Sequence, residues 1–273
     1  MTHGAWIVVA LLLEASPLSA QRVALEGPSD SAIPAGPLGA SVRRGRALLT
    51  DTRDSLPASV GNALRCASCH LDAGRRASFS WVGVFARYPQ YRSRSASVET
   101  IEYRVNDCFR RSMNGKPLAA DAREMRDIIA YFAFLSTGTP VGPPTQPASA
   151  KLAKWSALRA DTAHGRRLFA QGCARCHGAA GQGTPLAPPA WGANSYNLGA
   201  GMARVRTAAA FIQSNMPFDA PGTLADQDAF DVAGFVDAQP RPDFPEKFND
   251  WPNGDAPPDV AYPTRAARTA HPH

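Results

Sequence analysis

Cys66-Ala67-Ser68-Cys69-His70 and Cys173-Ala174-Arg175-Cys176-His177 are two copies of one pattern, CxxCH, and together they use four of the five cysteines in a chain of 273 residues. Two thiols three positions apart with an imidazole next to the second are the arrangement that attaches haem c. The sulfurs add across the porphyrin vinyl groups, and the histidine reaches the iron from the proximal face. A zinc site would want further paired Cys or His, and only Cys108 is left over. The motifs therefore predict two covalently bound haem c groups, attached through Cys66, Cys69, Cys173 and Cys176, with His70 and His177 on the irons.

Outward from the motifs, the surroundings repeat as well. Gly45-Arg46-Ala47-Leu48-Leu49 precedes the first and Gly165-Arg166-Arg167-Leu168-Phe169 the second, each reading as a short helix that leads into the attachment turn. The first copy carries thirteen extra residues before its first Cys. Downstream, Met125, Ile128, Ile129, Phe132 and Leu135 share one helical face, and so do Ala229, Val232, Ala233 and Val236. Asp121 with Glu124, and Thr223 with Asp226, read as N-terminal caps of these helices. Between the copies, Pro140, Pro143, Pro144 and Pro147 resist regular structure and favour an extended connection. The expected fold is all-α: two tandem cytochrome c-like haem domains, residues 41–138 and 152–240, joined by a Pro-rich linker at 139–151. Irregular extensions are expected at 21–40 and 241–273, and no strand pattern of any length stands out.

Residues 1–20 read as a secretory signal peptide, with an apolar run from Ala5 to Leu13 followed by Ser16-Pro17-Leu18-Ser19-Ala20 and cleavage near Ala20. The expected location is the periplasm. The run is short of the roughly 20 residues a membrane span needs, so no transmembrane segment is expected in the mature chain. The formal charge is +6, and losing residues 1–20 removes Glu14 but no Lys or Arg, which gives +7. A basic exported protein suits an anionic partner or substrate. Nucleic acid is not the expected partner, because the basic residues are scattered Arg within helical patterns rather than a stripe interleaved with aromatics.

A haem iron with a proximal His needs its other axial position explained, since that ligand sets potential and reactivity. The remaining histidines, His3, His164, His271 and His273, do not lie where a distal ligand is expected. In the second unit the choice is between Met216 and Met202; Met216 is favoured because Pro217 holds it extended. Met216 lies 43 residues beyond Cys173, and the unpaired Cys108 lies 42 beyond Cys66, so Cys108 falls where the first ligand belongs. Met113 and Met125 compete with it. Cys108 is expected in a helix from about Val98 to Met113 that stops at Asn114-Gly115, with Arg104 four residues earlier on the same face. Arg87, Arg92, Arg94, Arg104, Arg110 and Arg111 crowd this segment and are suited to holding a thiolate or an oxyanion. Thiolate donation lowers potential and thioether donation raises it, so electrons are expected to run from the first haem to the second.

The chain resembles the dihaem thiosulfate dehydrogenases from about Arg43 to Tyr262. The segments that carry the likeness are NALRCASCHLDAG (62–74), WVGVFARYPQYRSR (81–94), NDCFRRSMNGKPL (106–118), SNMPFD (214–219) and FPEKFNDWPNGDAPPDVAYP (244–263). The resemblance implies that Cys108 is both the distal ligand of the first haem and the sulfur that engages substrate. It implies that Met216 is the distal ligand of the second haem, and that Arg104 with Arg94 or Arg92 binds the anion. Some relatives have a Lys directly before the Met; here the position is Asn215, so no Lys ligation is expected. The implied reaction couples two thiosulfate to tetrathionate and passes electrons to a small acceptor, a cytochrome c or a high-potential iron-sulfur protein. The alternative is a non-enzymatic dihaem electron-transfer cytochrome, or a subunit of another dehydrogenase.

Overall fold

The repeated Gly-Arg pairs mark two helix crossings. The computed structural model describes residues 27–142 and 155–264. Helix α1 (Gly36–Thr50) opens with Pro37 in its first turn, where a missing N–H costs nothing, and buries Val42, Gly45 and Leu49 on one stripe. That stripe meets Met125, Ile128, Tyr131, Phe132 and Leu135 from the later helix Arg123–Leu135. At the crossing a Cβ on Gly45 would overlap the carbonyl oxygen of Asp127. Glycine inside a helix costs about 1 kcal/mol relative to alanine, and here the close backbone approach is the return. Ser41 and Arg44 donate to the Asp127 carboxylate at 2.5 Å and 2.7 Å, which pins the crossing.

The second unit repeats the device. A helix at Thr162–Leu168 crosses one at Asp226–Asp237, a Cβ on Gly165 would overlap the Asp231 carbonyl oxygen, and His164 Nδ1 lies 2.8 Å from the Asp231 carboxylate. Gly45, Arg44 and Asp127 thus correspond to Gly165, His164 and Asp231. His164, expected ahead of the helix, lies within it and serves this contact.

In chain order the remaining elements are α2 (Thr52–Ser55), a hairpin of β1 (Gln90–Arg92) and β2 (Ser97–Glu99), α3 (Ile101–Arg111) and α4 (Arg123–Leu135). Then follow α5 (Thr162–Leu168), a π-helical turn Phe169–Cys173, α6 (Ala174–His177), α7 (Val205–Asn215) and α8 (Asp226–Asp237). The all-α expectation holds with one small exception, the antiparallel hairpin in register Gln90↔Glu99 and Arg92↔Ser97. Pairing takes Val98 and Glu99 out of the expected helix, so α3 begins at Ile101 with Thr100 as its cap and ends at Arg111, not Met113. Asn114 then takes positive φ, as the expected stop requires.

Two further expectations are corrected, and the tail is irregular as expected. Helix α1 starts at Gly36, inside the stretch expected to be irregular, because Pro37 at the first turn starts a helix rather than preventing one. The expected caps do not cap: α4 follows Ala122 and α8 follows Ala225, with no side-chain cap at either. Glu124 and Asp226 instead place charge in the first turn, where it meets the helix dipole. Residues 241–264 contain one short 3₁₀ turn, Pro245–Asn249, yet they are pinned to the first unit. Arg111 donates to both oxygens of Asp250 at 2.7 Å, and Tyr262 donates to Asp250 at 2.5 Å.

The two units share a face. Asn62 and Asn114 donate to the Ser195 carbonyl at 3.1 Å and 2.7 Å, and the Asn197 amide donates to the Arg110 carbonyl at 2.9 Å. Tyr196, Ala200 and Ala203 join the first unit's apolar core. The expected signal peptide (1–20), most of the linker (143–151) and the end of the tail (265–273) lie outside the described residues. Among the described residues no helix is long and apolar enough to cross a membrane.

Candidate functional site

Each CxxCH is a turn whose histidine is fixed from behind. His70 Nδ1 lies 2.6 Å from the Phe79 carbonyl oxygen, and His177 Nδ1 lies 2.8 Å from the Pro188 carbonyl oxygen. A carbonyl can only accept, so Nδ1 carries the proton and Nε2 keeps a lone pair for a metal. Trp81 stacks on His70 with ring centroids 4.7 Å apart, and Gly74 is glycine because a Cβ there would overlap the Trp81 ring. Burial pulls His70 down to about 4, so it is neutral at physiological pH.

None of the five cysteines is paired in a disulfide. Burial pushes Cys66 and Cys69 up to about 12 and raises Cys173. Arg204 Nε and Arg241 Nε and Nη1 are buried without protein partners, donors of the kind that a carboxylate-bearing cofactor satisfies. Thiols in pairs, imidazoles held through Nδ1 with Nε2 left for a metal, and spare buried guanidinium donors fit haem c.

Cys108 lies on α3 facing the first motif, close enough that its charge would raise both Cys66 and Cys69. Arg104, one turn earlier, donates to the Cys108 sulfur at 3.1 Å and approaches Asp107 at 3.6 Å. Its pKa is pushed up, chiefly by the charge of Cys108. Asp107 is held below the usual carboxylate range by Arg111, Arg104 and Arg94 against the opposing effect of burial. Three guanidinium groups therefore gather beside the residue that precedes Cys108. Met113 and Met125, the rival donors, are buried in the apolar core of the first unit.

Arg94 and Arg92 part company. Arg94 donates to the Gly199 carbonyl at 2.7 Å and lies over the Trp251 ring at 4.7 Å, while the Trp251 amide donates to the Arg94 carbonyl at 2.7 Å. Arg92 sits on β1 opposite Ser97. Burial and the charge of Arg111 press the Arg94 pKa down, a setting in which an added anion is favourable. Asp250, Trp251 and Tyr262 are not singled out by the sequence reading. A Trp within an otherwise Pro-rich tail was the available signal, since an exposed tail has little use for one.

In the second unit Met216 ends α7 in extended conformation (φ −122°, ψ 148°), as its place before Pro217 leads one to expect. Met202 lies in the 3₁₀ turn Gly201–Ala203 and packs against the cores of both units. Asn215 is fully buried and donates to the Phe211 carbonyl at 3.0 Å.

A two-unit, all-α protein with a haem-binding turn in each unit is a c-type cytochrome. Family models match accordingly: the SoxA/TsdA cytochrome c domain over residues 58–141, and cytochrome c oxidase, cbb3-type, subunit III over 160–236. The thiosulfate dehydrogenase of Allochromatium vinosum is 43% identical over 258 residues, covering 90% of this chain and 94% of the relative. That of Psychrobacter arcticus is 43% identical over 241 residues, covering 85% of this chain and 73% of the relative. The solved thiosulfate dehydrogenase (TsdBA) of Marichromatium purpuratum superposes with a TM-score of 0.70 at 38% identity, over 81% of this chain and half of that one. The chain belongs to the thiosulfate dehydrogenase family. It is a cytochrome c oxidoreductase, which sets aside the reading as a non-enzymatic electron carrier.

Proposed function

We propose that this chain is an exported, periplasmic enzyme that couples two thiosulfate ions to tetrathionate and passes the electrons to a small acceptor protein, a cytochrome c or a high-potential iron-sulfur protein. The observation that carries this reading is the pair Arg104–Cys108, a sulfur with a guanidinium donor 3.1 Å away, facing the first CxxCH turn. Haem c, held covalently at Cys66, Cys69 and His70 and at Cys173, Cys176 and His177, with Cys108 and Met216 as the second iron donors, supplies two one-electron acceptors for the electron pair that the coupling releases.

The rest is chemistry of the chain's own residues. The Cys108 thiolate forms a sulfur–sulfur bond to the outer sulfur of the first thiosulfate as two electrons leave, so a total charge of about three negatives is conserved across adduct and electrons. A second thiosulfate attacks that same outer sulfur, the bond to Cys108 breaks, tetrathionate departs and the thiolate is restored. No proton is needed in either step. Arg104 holds the sulfur and, with Arg94, offsets the repulsion between two dianions. Arg94 is preferred to Arg92 because the tail and the Gly199 carbonyl hold it beside Asp107.

The test is thiosulfate-dependent reduction of ferricyanide by the purified protein, with haem counted by mass and tetrathionate quantified, in wild type and Cys108→Gly. Turnover in wild type that vanishes in the variant is expected. Full turnover in a haem-loaded Cys108→Gly protein would refute the assignment.

A further inference from the structure

The loop that follows the first motif touches both units, and it does so through the residue that fixes His70. Phe79 has φ +61°, a left-handed conformation that a bulky side chain rarely adopts, and in this posture its carbonyl meets His70 Nδ1 at 2.6 Å. Its ring reaches the other way. It meets Phe211 of α7 edge to face, with centroids 5.5 Å apart. Three residues earlier, Arg76 lies over Phe218 at 5.3 Å. Phe211 and Phe218 flank Met216, so one short loop grips the proximal histidine of the first site and both sides of the donor segment of the second.

We propose that Phe79 and Phe211 are positioning residues for His70, and that through them the docking of the second unit sets the donor strength of the first unit's proximal imidazole. The proposal rests on the reading of His70 as an iron ligand. A strained backbone persists where its surroundings over-determine it, and the aromatic contact is the anchor on the side away from His70. With the ring anchored, the carbonyl is held at hydrogen-bonding distance and the imidazole gains anionic character, which favours ferric iron. Without the anchor the carbonyl can relax out of line, donation weakens and the first haem becomes easier to reduce. One chain of contacts, from Phe211 through Phe79 to His70, therefore joins the two sites.

The experiment is a spectroelectrochemical titration of the full-length, haem-loaded protein as wild type, Phe79→Leu, Phe211→Leu and the double variant, with thermal unfolding followed in parallel. Leucine fills most of the volume and keeps the loop folded, so these variants remove the ring contact that anchors the Phe79 carbonyl rather than the loop itself. Phe211→Leu, which lies in the other unit, is expected to raise the midpoint of the first haem, Phe79→Leu to raise it likewise, and the double variant to add little beyond either. A first-haem midpoint that stays at the wild-type value in both single variants, with two haems bound, overturns the coupling, even if stability falls. A wild-type protein whose first haem lacks histidine ligation overturns the underlying assignment of His70, and the coupling with it.

Discussion

The first and second units start from the same crossing and diverge at the far side of the CxxCH turn. Gly45 against Asp127 and Gly165 against Asp231 are one solution to bringing two helix backbones together. Facing the first motif, however, is a thiol paired with Arg104 and bordered by Asp107, Arg111 and Arg94, whereas the second unit carries at the matching distance Met216, at the end of α7 with Phe211 and Phe218 on either side of it in sequence. A polar, cationic surround suits a sulfur that must meet anions, and a thioether in an apolar setting suits electron passage alone. The divergence teaches that the duplication conserves the frame and respecialises one wall of it.

That contrast can be broken most directly by Cys108→Met, which gives the first unit the side chain of the second. Turnover of thiosulfate should fall on the order of 10³-fold or more while both haems remain bound, because a thioether cannot carry the sulfur adduct. Steady-state kinetics beside a haem count decides it, and near-normal turnover would mean that the two walls do not differ in function.

The next largest effect concerns the tail, which pins the first unit to segments of the second. Asp250→Ala leaves the buried Arg111 with Asp107 as its remaining carboxylate and should cost about 3 kcal/mol in denaturant unfolding. A loss below about 0.5 kcal/mol would make the tail peripheral to the first unit.

Gly45→Ala and Gly165→Ala test the shared frame. Each forces a backbone shift at its crossing and should cost about 1–3 kcal/mol, by similar amounts in the two units. A large cost at one and none at the other would show that the crossings are not equivalent.

The smallest effect belongs to the second unit alone. Asp237, buried beside Arg241 at 3.5 Å and Tyr196 at 3.1 Å, is raised by burial to about 7, while the corresponding residue of α4 is Ala133. The folded protein thus keeps a proton that the unfolded chain releases above about pH 4. Stability from this group is present at low pH and is lost as pH rises from about 4 through about 7. Melting temperatures between pH 5 and pH 8 should fall in wild type, by the equivalent of about 1–2 kcal/mol, and fall less in Asp237→Asn. Parallel profiles for the two proteins would remove Asp237 from the account.

Much of the frame was legible in the sequence. The repeated motif and the repeated Gly-Arg pair announced two related helical units, and the matching distances from Cys66 to Cys108 and from Cys173 to Met216 paired a thiol with a thioether. Local chemistry states such things directly, because a covalent attachment and a helix stripe both depend on spacing along the chain. The capping residues were misread because an acid near a helix start can serve the dipole without touching an amide. The hairpin at Gln90–Glu99 was missed because strands of three residues carry too little alternation to register.

What the sequence by itself determined is the class of protein and the two CxxCH turns on which it is built. What only the tertiary structure decided is the company those residues keep. Arg94 rests on Trp251 and Gly199, Arg111 is held by Asp250 from a tail 139 positions away, and Phe79 meets Phe211 across the junction of the units. These contacts join segments far apart in the chain, so no periodicity or spacing encodes them. They follow from which apolar faces remained to be covered after each unit had closed on itself, and that is settled only when the whole chain packs.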